Sequence, residues 1–117
     1  MNSEKNLTDS NCCSIFYIAD WRIEPDILCI FHASLEVKLE PKVMQVLVYL
    51  ASKPGEVINR EELESNIWAG RVVGYDALAN TIIKLRKAFG DSSRHPQIIK
   101  TIPKTGYQLI AKVEHSA

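Results

Sequence analysis

The amino-acid sequence predicts an α+β fold: an N-terminal antiparallel β-sheet, three helices and a C-terminal β-hairpin. Three observations predict it. Short β-prone runs fill Ile15 to Leu39, three stretches with apolar residues at helical spacing follow, and two more β-prone runs flank Pro103-Lys104-Thr105-Gly106. At 117 residues the chain fits one domain with one core. Residues 1–14 read as a flexible N-terminal segment, 15–113 as the folded domain and 114–117 as a tail.

In the first block the breaks fall at Glu24-Pro25-Asp26 and His32-Ala33-Ser34. Ser34 to Leu39 alternates strictly, so Leu35, Val37 and Leu39 are expected to face the core and Glu36 and Lys38 to face water. Pro41 suits the first turn of a helix, and Val43, Val46, Leu47 and Leu50 recur at helical spacing until Lys53-Pro54-Gly55 stops it. Glu56-Val57-Ile58 reads as a short linking strand. Asn59 followed three residues later by Glu62 resembles a capping box, with a second helix over Arg60–Trp68 burying Leu63, Ile67 and Trp68.

After a loop containing Gly70 and Gly74, a third helix is expected from Asp76 to Gly90, the glycine serving as its left-handed cap. Leu78, Ile82, Leu85 and Phe89 fall on one face, and the opposite face carries Asp76, Asn80, Ile83, Lys84 and Lys87. The closing hairpin joins Gln97–Ile102 to Tyr107–Val113, with Gly106 supplying the backbone freedom of the turn. Tyr107 is expected to pack the hairpin on the third helix.

Composition bounds the function. With 46% hydrophobic and 24% charged residues the chain is neither disordered nor fibrous, and its longest apolar stretch is far short of the roughly 20 residues that cross a bilayer. The polar first fourteen residues lack the apolar region of a secretory signal. Three cysteines, Cys12, Cys13 and Cys29, make an odd count without C-x-x-C spacing, so no disulfide or zinc site is expected, and Cys29 reads as a buried strand residue. No cofactor or metal is called for. His32, His95 and His115 are scattered, and no H-E-x-x-H, G-x-S-x-G or Gly-rich phosphate loop is present, which argues against an enzyme.

The formal net charge is zero, yet the halves differ. Met1 to Gly74 holds seven Lys and Arg against eleven Asp and Glu, net −4, whereas Tyr75 to Ala117 holds seven against three, net +4. The cationic half is the candidate binding surface.

The blocks L-E-P-K-V-M-Q-V-L-V-Y-L, P-G-E-V-I-N-R-E-E-L-E-S-N-I-W, D-A-L-A-N-T-I-I-K-L-R-K-A-F-G-D and I-I-K-T-I-P-K-T-G-Y-Q-L-I-A, in that order and spacing, resemble the OmpR/PhoB-type winged helix-turn-helix DNA-binding domain. The P-K-T-G-Y hairpin tip is similar to the ToxR/CadC branch, whose domain is the cytoplasmic part of a bacterial membrane-anchored transcriptional regulator.

The resemblance implies that the third helix enters the major groove of double-stranded promoter DNA and that the hairpin wing reaches the minor groove. It implies base reading by Asn80, Ile83 and Lys84: asparagine for adenine, lysine for guanine, and isoleucine for a thymine methyl. DNA-backbone contacts fall to Arg71, Thr81, Arg86 and Lys87, and wing contacts to Thr101, Lys104 and Thr105. Further implied partners are RNA polymerase, a second copy of the domain on tandem sites, and a membrane-anchored partner. Many relatives carry a second basic residue at the tip where this chain has Thr105, and a third-helix arginine where it has Asn80 or Ile83, so the groove contacts are less cationic here. A rival reading, a winged-helix protein-interaction module without specific DNA binding, draws on the neutral net charge, the outward Ile83 and the Glu-rich second helix.

Overall fold

A computed structural model describes residues 15–69, 71 and 76–115. The N-terminal half is a meander of four antiparallel strands, β1 (Phe16–Ile18), β2 (Trp21–Glu24), β3 (Cys29–His32) and β4 (Leu35–Lys38). One face is a row of buried side chains, because Phe16 pairs with Ile23, Ile23 with Ile30 and Ile30 with Val37. Ile23 and Ile30 are fully buried. The β1–β2 and β3–β4 links are two-residue turns opened by Ala19 and Ala33 at φ 54°. Hairpin turns of this kind usually announce themselves by Gly or Asn, which is why the break at Ala19 does not stand out in the sequence.

The alternation expected in β4 holds only in part. Val37 is half-buried and Leu39 buried, but Leu35 is 53% exposed. β4 is the edge of its sheet, and Val37 packs against the core cluster whereas Leu35 does not, so at Leu35 the pleat alternates without a core to bury against.

Three helices follow. α1 (Pro41–Ser52) buries Val43, Val46, Leu47 and Leu50 as the spacing predicts, with Met44 alongside. α2 (Arg60–Trp68) opens on Asn59, whose side chain accepts from the Glu62 N–H at 2.7 Å. The reciprocal half of the capping box is missing, because the Glu62 carboxylate turns to α1 instead. It accepts from the Tyr49 hydroxyl and from Lys53 Nζ at 2.7 Å. The Lys53 ammonium first, and the Tyr49 hydroxyl second, hold Glu62 below the usual carboxylate range. An expected local cap is thus a tertiary link between two helices.

α3 (Ala77–Phe89) buries Leu78, Ile82, Leu85 and Phe89. It ends on Gly90 at φ 69°, with Gly90 N–H donating to the Lys87 carbonyl and Asp91 N–H to that of Arg86. This crossed pair of bonds closes the helix as expected for a glycine cap.

β5 (Val57–Asn59), β6 (Ile99–Ile102) and β7 (Gly106–Leu109) form a second sheet in the order β5-β7-β6. The last strand departs from the predicted hairpin. Its pairing with β6 stops at Leu109, and β8 (Val113–His115) leaves to pair with β1, matching Ile18 to Val113 and Phe16 to His115. Residues 114 and 115, expected in a tail, therefore belong to the first sheet. An open β1 edge would leave a ladder of unpaired backbone groups, and β8 covers it. The expected flexible segment 1–14, with Cys12 and Cys13, and the loop glycines Gly70 and Gly74 lie outside the described residues. Among those described, Cys29 is free and buried, and no helix is long and apolar enough to cross a membrane.

Candidate nucleic-acid interface

The amphipathic sequence of α3 dictates what it displays. Burying Leu78, Ile82, Leu85 and Phe89 leaves Asn80, Ile83, Lys84 and Lys87 exposed along the opposite side. Ile83 is 59% exposed, a large apolar side chain set among polar donors and cations. Lys87 lies in the last turn, where a cation complements the partial negative charge of the helix end. The arrangement offers amide, ammonium and methyl groups on a single convex strip.

Two residues expected to touch DNA backbone are placed differently. Thr81 is turned inward, only 7% exposed, and its hydroxyl donates to the Ala77 carbonyl at 2.9 Å. The side chain falls a third of a turn from the exposed strip, so its hydroxyl satisfies its own helix. Arg86 is half-buried, and its Nη2 donates to Thr101 Oγ1 at 2.6 Å and to the Ile99 carbonyl at 3.2 Å. The guanidinium fastens α3 to β6 where the resemblance implied a phosphate contact.

The hairpin tip is a tight turn closed by Thr105 N–H to the Ile102 carbonyl at 3.0 Å, with Pro103 and Lys104 between them. Lys104 takes φ 62°, a region where Gly or Asn is usual and a longer side chain is strained. Thr101, Lys104 and Thr105 are all exposed. Gly106, expected to supply the turn's positive φ, has another reason to be glycine. A Cβ there would lie 2.0 Å from the Ile58 carbonyl oxygen and 2.7 Å from Asn59 Cα. It is the close approach of β7 to β5 that excludes a side chain.

Asp91 holds the wing to the helix. Its carboxylate accepts four backbone N–H bonds, from Ser92 at 2.9 Å, Gln97 at 2.8 Å, Ile98 at 3.0 Å and Ile99 at 2.9 Å. Burial pushes the Asp91 pKa up, but the N–H donors of Ile99, Gln97, Ile98 and Ser92 outweigh it and the net shift is downward. With Arg86 above it, Asp91 fixes where β6 leaves α3. Sequence reading passed over Asp91, although one signal was present: an acid just past a helix C-terminus opposes the helix dipole and so needs another stabilising partner.

Glu40 was also missed, and no local signal marks it. Its carboxylate lies 3.1 and 3.3 Å from Lys84 Nζ, joining residues 44 positions apart. Arg71 is exposed beside the buried Trp68, its N–H donating to the Trp68 carbonyl at 2.9 Å. Tyr107 is buried, as expected of a packing residue. No group of three or more His, Cys, Asp or Glu able to hold a metal ion occurs among the described residues.

Residues 34–109 match the model of the family described as "Transcriptional regulatory protein, C terminal". The chain is 34% identical over 97 residues to the transcriptional activator CadC of Escherichia coli, covering 82% of this chain and 19% of that protein. It is 42% identical over 80 residues to the cholera toxin transcriptional activator of Vibrio cholerae, covering 67% of this chain and 27% of that one. The chain thus spans about a fifth to a quarter of the length of these relatives. Among solved structures, the DNA-binding domain of E. coli CadC superposes with a TM-score of 0.79 at 31% identity, over 88% of this chain and 97% of that domain. The Klebsiella pneumoniae RstA DNA-binding domain, solved with its RstA box, shares the fold with a TM-score of 0.71 at 22% identity over 82% of this chain and 96% of its own.

Proposed function

Because the chain belongs to the OmpR/PhoB-type family of transcriptional regulatory C-terminal domains, we propose that it binds specific double-stranded promoter DNA, α3 in the major groove and the β6–β7 wing in the minor groove. The observation that carries this reading is the exposed strip of Asn80, Ile83, Lys84 and Lys87, with a wing fastened beside it by hydrogen bonds of Arg86 and Asp91. The strip matches what base edges need: an amide for adenine, an ammonium for guanine, and an aliphatic surface for the thymine methyl. Lys87, Arg71, Lys104 and the hydroxyls of Thr101 and Thr105 supply the backbone contacts, which position the domain without reading sequence. The role is a binding one, not catalysis. By its likeness to the ToxR/CadC branch we read the domain as the cytoplasmic part of a membrane-anchored regulator, with RNA polymerase and a second copy on tandem sites as further partners.

Fluorescence anisotropy on a duplex selected from a random library tests the reading. Lys84→Ala should weaken the selected duplex by ~1–3 kcal/mol and relax discrimination at one base pair. An equal loss on random DNA would contradict base reading. Lys104→Ala should weaken all duplexes alike and lower the salt slope by about one unit.

The exposed Ile83 gives a second reading some footing, that of a protein-interaction module. Hydrogen exchange separates the two: protection of Asn80 to Lys87 on adding the selected duplex supports DNA, and its absence supports the module.

A further inference from the structure

The Glu40–Lys84 ion pair joins the start of α1 to the proposed reading strip. Glu40 stands in the position before the first turn of α1 with extended backbone, φ −72° and ψ 154°, yet its side chain makes no capping bond. A capping side chain would accept from the N–H of Lys42 or Val43; this carboxylate reaches across to Lys84 instead. Both side chains are more than half exposed, 55% for Lys84 and 66% for Glu40, so the pair lies on the surface that DNA would meet. Lys38 and Lys87 line the same shallow groove beside apolar Val37, Leu39, Val43 and Ala88, so Glu40 is the one carboxylate there among three lysines.

We propose that Glu40 is a specificity-determining residue, an inference that rests on the DNA reading above. Phosphates attract any free ammonium, whatever the sequence. A carboxylate beside Lys84 cancels that attraction locally and repels the phosphate backbone, so complexes held by phosphates alone are weakened. On the right sequence Lys84 leaves for guanine O6 and N7, and the freed carboxylate stands about one hydrogen-bond length from where the lysine head was. There the exocyclic amino group of cytosine can donate to it. The pair therefore penalises wrong DNA more than right DNA, which is how repulsive elements sharpen recognition.

The test is an anisotropy titration of the full chain, comparing wild type, Glu40→Gln, Lys84→Ala and the double variant on the selected duplex and on a scrambled duplex. Glu40→Gln should bind the scrambled duplex about twofold to fivefold tighter, the range an exposed ion pair is worth. It should gain less on the selected duplex, so discrimination falls. In the Lys84→Ala background the same substitution should change discrimination less, because no ammonium is left for the carboxylate to mask. Equal tightening on both duplexes would mean plain repulsion and overturn the proposal, as would an undiminished effect without Lys84. Wild-type protein that binds neither duplex would instead overturn the DNA reading itself.

Discussion

Replacing Asp91 with alanine removes the acceptor for four backbone N–H groups at once, and the cost follows from where those groups lie. Ser92 and Gln97 are exposed, so their N–H groups turn to water at little expense. Ile98 and Ile99 are 7% and 0% exposed, and their N–H groups would be left buried and unpaired. Each such group costs ~1–3 kcal/mol, which puts the loss at about 2–6 kcal/mol, a large part of the roughly 5–15 kcal/mol that holds a domain folded. At ~4–8 °C per kcal/mol for a domain near this size, the midpoint should fall by at least about 8 °C in thermal unfolding followed by circular dichroism at pH 7.

Acid gives an independent check on the sign. The folded pKa of Asp91 is lowered, so its contribution is present above the unfolded value, ~3.9. It is lost as pH falls through the still lower folded value. The gap between wild type and Asp91→Ala should therefore be full at pH 7 and shrink below about pH 4. Asp91→Asn, which keeps one acceptor oxygen, should fall between the two. A midpoint within about 3 °C of wild type, or a gap that does not change down to the acid limit of folding, would refute the assignment of Asp91 as the carboxylate that fastens the wing; the shift expected per kcal/mol sets that threshold.

Other substitutions test other parts of the reasoning. Gly106→Ala sets a methyl against the Ile58 carbonyl and should cost at least about 2 kcal/mol by urea unfolding, since two paired strands must separate. Leu35→Ser, at an exposed edge position, should stay within about 0.5 kcal/mol, whereas Ile30→Ala in the same sheet should lose about 2–5 kcal/mol. Thr81→Val should leave DNA affinity nearly unchanged, because that hydroxyl is directed at Ala77. Lys87→Ala should weaken all duplexes and reduce the salt slope by about one unit.

What the sequence determined by itself is the set of features that depend on near neighbours. The limits of α2, the Gly90 cap and the division of α3 into a buried stripe and an outward strip follow from spacings of three and four residues and from single capping side chains. The strip that carries the proposed base contacts was legible for the same reason, since burying Leu78, Ile82 and Leu85 leaves no other face for Asn80, Ile83 and Lys84.

The tertiary structure decided everything that joins distant segments. It turned Glu62 from a local cap to Tyr49 and Lys53, set Arg86 on Thr101, placed Glu40 against Lys84, and sent β8 to β1. It also left Leu35 exposed, although its alternation with Val37 and Leu39 is flawless in sequence. Periodicity fixes which way a side chain points relative to its own backbone, whereas its partner is whatever packing brings within reach, as where Glu40 meets Lys84 from 44 residues away.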